Sequence, residues 1–117
     1  TMKKQKYGKI VNISSVAARI GGIASSVSYA VSKGGLLSAT KSYAKVLGEY
    51  NINVYAVCPS VIKTNMTANT NYSTVGIPLG RLGETEDVAE VIVFLASNAS
   101  KYIAGQGIDI NGGSYMN

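Results

Sequence analysis

Three short strand-like runs alternate with two stretches of helical periodicity, and this order restricts the fold more than any other feature of the chain. The runs cover residues 9–14 (KIVNIS), 52–58 (INVYAVC) and 107–110 (GIDI). The first two have the length and the β-branched content of buried strands. Apolar strands that alternate with helices are typical of a parallel sheet covered on both faces. We therefore predict an α/β fold with three parallel strands and two helices, at about 29–49 and 86–97, that lie on opposite faces or pack against a partner.

The predicted helices have apolar residues at the spacing of a helix face. In the second helix these are Val88, Val91, Ile92 and Leu95. In the first, one stripe contains Leu36, Tyr43, Leu47 and Tyr50, and a neighbouring stripe contains Leu37, Thr40, Ala44 and Gly48. Glycine destabilises a helix by up to about 1 kcal/mol, so Gly34, Gly35 and Gly48 suggest close packing against another backbone. The segments between the periodic stretches, residues 15–28 and 60–84, are predicted to be loops.

Composition excludes several kinds of chemistry. The 117 residues contain no His and a single Cys, which rules out imidazole catalysis, an intrachain disulfide and a multi-cysteine zinc site. We predict no metal site. No apolar stretch of about 18 residues occurs, so no membrane span is expected, and a reduced, cytoplasmic setting is the default.

The net charge of +5 could indicate a nucleic-acid partner, but the cations are not arranged as a binding stripe. Four of the 11 basic residues lie within residues 3–9, and the other seven are scattered. Basic residues suit the last turn of a short helix, which Gly8 would end. We therefore predict no nucleic-acid partner.

One helix face and two strand ends bring together side chains that can transfer a proton. Tyr29 and Lys33 are four residues apart, so they lie one turn apart on the same face of a helix. A lysine ammonium beside a phenol favours the phenolate, which allows the tyrosine to exchange a proton near neutral pH. Ser14 and Ser15 end the first predicted strand, and Pro59 ends the second. Ligands of open α/β sheets bind at this carboxyl edge.

Four segments together resemble the short-chain dehydrogenase/reductase family. They are GKIVNISS at 8–15, YAVSKGGL at 29–36, INVYAVCPSVIKTNM at 52–66, and the stretch from PLGRLG to the NGG at 78–113. They are similar, in that order, to the family's fifth strand with its catalytic serine, its Tyr-x-x-x-Lys helix, its sixth strand with the following loop, and its last helix and strand. The resemblance covers practically the whole chain.

The resemblance implies a role for each matching residue. Ser15 would hydrogen-bond the substrate oxygen, and Tyr29 would exchange a proton with it. Tyr29 and Lys33 would also contact the cofactor, with Lys33 binding the nicotinamide ribose and assisting Tyr29. The cofactor would be NAD or NADP, and its nicotinamide would be lined by the loop residues Pro59, Ile62 and Thr64. The substrate would be a ketone or a secondary alcohol, and the assembly a homo-oligomer, either a dimer or a tetramer.

The chain departs from the family pattern in the site and in its length. Ser60 replaces the usual Gly after Pro59, Tyr55 replaces a usual Asn, and the lid segment at 67–77 is short. No Gly-x-Gly-x-x-Gly turn occurs. We therefore expect residues 1–117 to be a single partial domain, the C-terminal part of a doubly wound, Rossmann-like parallel sheet whose N-terminal half is absent. The first strand would then have an unpaired edge.

Two functions from different classes fit this pattern. The first is an NAD(P)-dependent oxidoreductase, because the PLGRLG and GQGIDINGG segments resemble those of 3-oxoacyl-carrier-protein reductases and of sugar or polyol dehydrogenases. The second is a non-catalytic remnant that acts only as a folding or oligomerisation partner. A Gly-rich turn upstream of Ser15 in the same reading frame would favour the first function.

Overall fold

The computed structural model describes residues 1–22, 25–65, 67 and 71–117. The strands are β1 (Gly8–Ile13), β2 (Ile52–Pro59) and β3 (Gly107–Ile110). The α-helices are α1 (Met2–Gln5), α2 (Ala17–Ile20), α3 (Val27–Leu47) and α4 (Thr85–Ala96). Two 3-10 turns, Gly48–Tyr50 and Asn98–Ser100, follow α3 and α4.

The three strands form one parallel sheet in the order β1-β2-β3. Gly8 pairs with Ile52 at one end of β1 and Ile13 with Val57 at the other, while Pro59 pairs with Ile110 across to β3. The predicted α/β class and parallel sheet are confirmed. Within the described part of the chain β1 has a neighbour on one side only, and the Ile13 side chain at its end is exposed.

The two long helices cover opposite faces of this sheet, as predicted. Successive strand residues point to opposite faces. On β1, Asn12 and Ser14 bond to residues of α3, whereas Val11 packs in the core beneath α4. That core is centred on the fully buried Tyr55, Val57 and Leu95, with six partly buried residues around them: Val11, Val91, Ile92, Ile103, Ile108 and Ile110.

Helix α3 turns its smaller side chains toward the sheet. Thr40 is fully buried, whereas Tyr43, which lies on the other of the two stripes described above, is 57% exposed. A Cβ built on Gly34, Gly35 or Gly48 meets no atom within 4 Å in the described part of the chain. The prediction that these glycines pack closely against another backbone is therefore wrong for contacts within this chain.

Local hydrogen bonds move several element boundaries from their predicted positions. Helix α3 begins two residues early, at Val27, because the Ser26 hydroxyl accepts a bond from the Tyr29 amide at 3.1 Å and caps the helix. Helix α1 ends at Gln5 and not at the predicted Gly8, because Lys6 adopts a left-handed backbone with φ of 53°.

The predicted loops also contain short ordered elements. Helix α2 lies within residues 15–28, and a single parallel bridge joins Ile62 to Gly83 within residues 60–84. The predicted short lid at 67–77 lies partly outside the described residues, since 68–70 are not among them.

Candidate active site

Ser15 lies two residues after the end of β1, at the carboxyl edge of the sheet. Its side chain is buried, and its hydroxyl oxygen accepts a hydrogen bond from the Ala17 amide at 3.1 Å, at the start of α2. The amide of the next residue, Val16, donates to the carbonyl oxygen of Pro59 at 2.9 Å, so the ends of β1 and β2 are held side by side. Because the Ser15 oxygen acts as an acceptor here, its proton is available for donation to a ligand oxygen.

Tyr29 and Lys33 lie one turn apart near the N-terminus of α3, as their spacing predicts. The Lys33 ammonium nitrogen is 5.7 Å from the centre of the Tyr29 ring, within the range of a cation–π interaction. The same nitrogen donates to the carbonyl oxygen of Ile13 at 3.0 Å, two residues before Ser15. The Tyr29 side chain is 41% exposed. Lys33 thus contacts both Tyr29 and the end of the strand that leads to Ser15.

Ser14 makes the contact that the sequence analysis missed. Its buried hydroxyl donates to the backbone carbonyl oxygen of Lys33 at 2.7 Å, and its amide donates to Val57 at 2.8 Å. The available signal was strand alternation: neighbours on a strand point to opposite faces, so Ser14 and Ser15 have different environments.

Ser60 occupies its turn without backbone strain. Among the described residues the non-glycine positions with positive φ are Lys6 and Asn51, and Ser60 is not one of them. Its amide donates to the carbonyl oxygen of Ile110 at 2.9 Å, which continues the β2–β3 pairing by one bond. Serine is therefore compatible with the position where the family usually has glycine.

The loop after β2 is stabilised by Thr67. Its hydroxyl bonds to the Ile62 carbonyl oxygen at 2.9 Å and to the Thr64 amide at 2.8 Å. Ile62 is also bridged to Gly83. Over the described ranges, neither the Ile62 amide nor the Thr64 hydroxyl donates to another group of the protein. These two donors are available to a ligand.

Two cavities lie beside the loops at this edge. One, of about 500 Å³, is lined by residues including Ser60, Arg81 and Asn111, and the other, of about 680 Å³, by residues including Thr64 and Tyr72. Ser15, Tyr29 and Lys33 line neither of them. The structure therefore brings these three candidate residues to the sheet edge but does not enclose them in either cavity.

An ion pair joins the segment that follows Ser15 to β3, and a buried thiol lies near this pair. Arg19 Nε bonds to the Asp109 carboxylate at 3.1 Å, and its Nη2 donates to the carbonyl oxygen of Gly107 at 3.0 Å. These contacts link α2 to β3. Nearby, burial raises the pKa of the Cys58 thiol, against the opposing effect of Arg19.

The described residues contain no cluster of three or more His, Cys, Asp or Glu side chains that could hold a metal ion. Over the same ranges, no helix combines the length and apolar character needed to cross a membrane.

Comparison with known proteins agrees with this geometry. Residues 1–115 match the family described as enoyl-(acyl carrier protein) reductase. The chain is 45% identical over 120 residues to the 3-oxoacyl-[acyl-carrier-protein] reductase of Aquifex aeolicus, covering 97% of this chain and 48% of that protein. It is 40% identical over 114 residues to the human (3R)-3-hydroxyacyl-CoA dehydrogenase, and the match covers 93% of this chain and 43% of that protein.

A solved structure extends the match to three dimensions. The 3-oxoacyl-[acyl-carrier protein] reductase of Brucella melitensis superposes with a TM-score of 0.93 at 36% identity, over 99% of this chain and 45% of that one. The chain therefore belongs to the short-chain dehydrogenase/reductase family. Within the family it is similar to the 3-oxoacyl-[acyl-carrier-protein] reductases. It spans about half the length of the curated relatives it matches.

Members of this family use NAD or NADP as cofactor. The available donors fit the nicotinamide end of such a molecule, because its carboxamide can accept a bond from the Ile62 amide and from the Thr64 hydroxyl. The Lys33 ammonium has three donor protons, and the bond to Ile13 uses one of them. The roles of these residues remain predictions.

Proposed function

We propose that the protein containing this chain is an oxidoreductase that transfers a hydride between NAD(P)(H) and a ketone or secondary alcohol, with 3-oxoacyl thioesters as its substrate class. The observation that carries the proposal is the position of Lys33, whose ammonium contacts the Tyr29 ring and the strand end two residues before Ser15. The similarity to 3-oxoacyl-[acyl-carrier-protein] reductases supports the substrate class.

In this mechanism the chain's own residues hydrogen-bond the substrate oxygen and supply the proton that it receives. The Ser15 hydroxyl donates a hydrogen bond to the carbonyl oxygen and polarises it. Tyr29 gives its phenolic proton to that oxygen as negative charge develops there, and Lys33 stabilises the resulting phenolate. A reduced nicotinamide held beside these residues would supply the hydride that the carbonyl carbon accepts. The product is a secondary alcohol, and the reverse sequence oxidises it.

The two hydroxyl groups favour carbonyl reduction over enoyl reduction. A carbonyl oxygen accepts two hydrogen bonds, and it is also the atom that receives the proton when a ketone is reduced. Reduction of a carbon–carbon double bond places both the hydride and the proton on carbon. Ser15 and Tyr29 together are therefore better suited to a 3-oxoacyl group than to an enoyl group, although the matching family is described as an enoyl reductase.

The test is an assay of reduced-cofactor absorbance on the longest natural reading frame that contains the chain. 3-Oxoacyl and trans-2-enoyl thioesters should be supplied in parallel, each with NADH and with NADPH. We expect turnover of the 3-oxoacyl thioester. Turnover of the enoyl thioester alone would refute the substrate class. No turnover of any carbonyl compound would favour the non-catalytic alternative.

We also propose a homo-oligomer that operates in the cytoplasm. Support for self-association comes from the outer face of α3, where Val27, Val31 and Val46 are 81%, 67% and 59% exposed. Gly35 lies on the same helix with open space around its Cβ position, so a second helix could approach closely. Sedimentation of the wild type and of Val31→Glu tests this, since a charge on the face should shift the assembly toward monomer.

A further inference from the structure

Two partly buried hydrogen bonds join the end of β1 and the residue after it to α3, on the face of the sheet that α3 covers. The Ser14 hydroxyl donates to the carbonyl oxygen of Lys33 at 2.7 Å, and the Asn12 side-chain amide donates to the Thr40 hydroxyl at 3.0 Å. Thr40 in turn donates to the Leu36 carbonyl oxygen at 2.7 Å. Ser14 is 3% exposed and Thr40 is 1% exposed, so solvent does not compete strongly for these bonds.

The spacing of the bonds fixes how α3 lies along β1. Asn12 and Ser14 are two residues apart, the repeat of a strand face, and Lys33 and Thr40 are seven apart, about two helical turns. The later strand residue contacts the earlier helix residue, so the two elements run antiparallel. A slide of α3 by one turn, about 5.4 Å, would separate Asn12 from Thr40 and would place the carbonyl oxygen of a different residue opposite Ser14. Apolar contacts between α3 and the sheet are non-directional, so they select one register of the helix less strongly than hydrogen bonds do.

Lys33 bonds through both its backbone and its side chain to two consecutive residues, Ile13 at the end of β1 and Ser14 directly after it. Its backbone carbonyl oxygen accepts from Ser14, and its ammonium donates to the carbonyl oxygen of Ile13. The residue after Ser14 is Ser15, and the turn before Lys33 carries Tyr29. The buried Ser14 hydroxyl thus helps to set the position of the Tyr29–Lys33 pair relative to Ser15, together with the Lys33–Ile13 and Asn12–Thr40 bonds.

We propose that Ser14 is a positioning residue: its hydroxyl, acting with the Asn12–Thr40 bond, holds the N-terminal part of α3 in its register beside β1, and thereby sets the distance between the Tyr29–Lys33 pair and Ser15. The proposal rests on the proposed function where it concerns proton transfer. Its structural part, the register of the helix, is independent of any activity.

The experiment compares Ser14→Thr with Ser14→Val in the longest natural reading frame containing the chain. The two side chains have nearly the same shape and introduce the same extra methyl group, but only Thr retains the hydroxyl. Ser14→Ala is the third variant, because it removes the hydroxyl without adding volume if both larger side chains disturb folding. Each variant is measured for turnover of a 3-oxoacyl thioester, for the solvent deuterium isotope effect on kcat, and for amide exchange along α3.

We expect kcat to fall at least about tenfold in the Val and Ala variants, because small displacements of reacting groups are costly, and Thr to restore most of it. The isotope effect should rise in Val and Ala, since a misplaced Tyr29 makes proton transfer more rate-limiting. A mere loss of folded protein would lower kcat and leave the isotope effect unchanged. Amide exchange should accelerate around residues 29–37 in Val and Ala relative to Thr.

Equal kcat, isotope effect and exchange in the Thr and Val variants, with Ala matching the wild type, would overturn the positioning role. If no variant and no wild-type protein turns over substrate, the proposed function fails, and the exchange comparison alone decides the register. Slower exchange in Thr than in Val and Ala then supports the register bond, and identical exchange refutes it.

Discussion

The Lys33 ammonium donates to the Ile13 carbonyl oxygen at 3.0 Å, which links a helix side chain to the last residue of the neighbouring strand. Strand β1 ends at Ile13, and Ser15 lies two residues further along the chain. The ammonium also lies 5.7 Å from the centre of the Tyr29 ring. One charge therefore connects the end of a strand to the phenol on the preceding helical turn.

Replacement of Tyr29 by Phe should lower turnover at least about 100-fold, the usual effect of losing a general acid. The fold should be nearly unchanged, because the substitution removes one hydroxyl from a side chain that is 41% exposed. The matched control is Tyr43→Phe, which removes the same group from the exposed side of the same helix. Steady-state turnover and thermal melting of both variants provide the measurement. Full activity in Tyr29→Phe would disprove its catalytic role.

Lys33→Met should reduce turnover by a similar factor and also weaken cofactor binding. The neutral side chain retains much of the volume but loses the bond to Ile13, the charge beside Tyr29 and the donors for the ribose. Lys41→Met is the control, since Lys41 is exposed two turns further along α3. Fluorescence titration with NADH and NADPH measures the affinity. Unchanged affinity in Lys33→Met would contradict the ribose contact.

The order of the elements was accessible from the sequence because it depends on periodicity. The second strand was predicted at 52–58 and is Ile52–Pro59, and the last was predicted at 107–110 and is Gly107–Ile110. Helix α2 was missed, since its four residues are too few for a periodic signal and are stabilised by bonds such as that from the Ala17 amide to Ser15. Lys6 was missed because a left-handed residue at a helix end is usually glycine.

The candidate site was predictable only in part, because some of its contacts join residues that are far apart in the sequence. The Tyr29–Lys33 spacing specifies one helix face by itself, and the family resemblance indicated Ser15. The contacts of Ser14 and Arg19 depend on residues 19 and 90 positions away in the sequence, Lys33 and Asp109. A single sequence carries no local signal for such pairs, because they form only when helix and strand pack.

The 117-residue chain by itself should not oxidise NADH or NADPH with any ketone. Its sequence contains no Gly-x-Gly-x-x-Gly turn to hold the pyrophosphate, and the proton-transfer residues line neither of the two cavities described above. The absorbance assay should be run on this chain and on a longer natural reading frame in parallel. Turnover by the 117 residues alone would show that the missing turn is not required.

The Cys58 thiol should react slowly in the folded protein and rapidly after unfolding. It lies on β2 with no exposed surface, and burial raises its pKa, so the nucleophilic thiolate is scarce and inaccessible at neutral pH. Labelling with a chromogenic disulfide at pH 7.5, with and without denaturant, measures this. A fast reaction of the native protein would mean that β2 opens readily.

The pair formed by Arg81 and Asp87 should stabilise the start of α4 in a pH-dependent way. Two hydrogen bonds from Arg81, at 2.7 and 3.1 Å, and one from the Glu84 amide at 2.7 Å lower the Asp87 pKa to about 2. The pKa of an Asp side chain in an unfolded chain is about 3.9. Because the folded pKa is the lower one, the stabilisation is complete above about pH 4 to 5 and disappears as the pH falls through about 2.

The measurement is the difference in unfolding free energy between the wild type and Asp87→Asn as a function of pH. We expect a constant difference from pH 5 to 7 that shrinks steadily below pH 4. Glu90→Gln, an exposed carboxylate later in the same helix, is the control and should give a much smaller difference. Carbon NMR titration reports the carboxyl group directly, and Arg81→Met should move the Asp87 midpoint upward but leave it below the unfolded value, because the Glu84 amide bond remains. An unshifted midpoint in Arg81→Met would show that the amide, and not the guanidinium, holds the carboxylate charged.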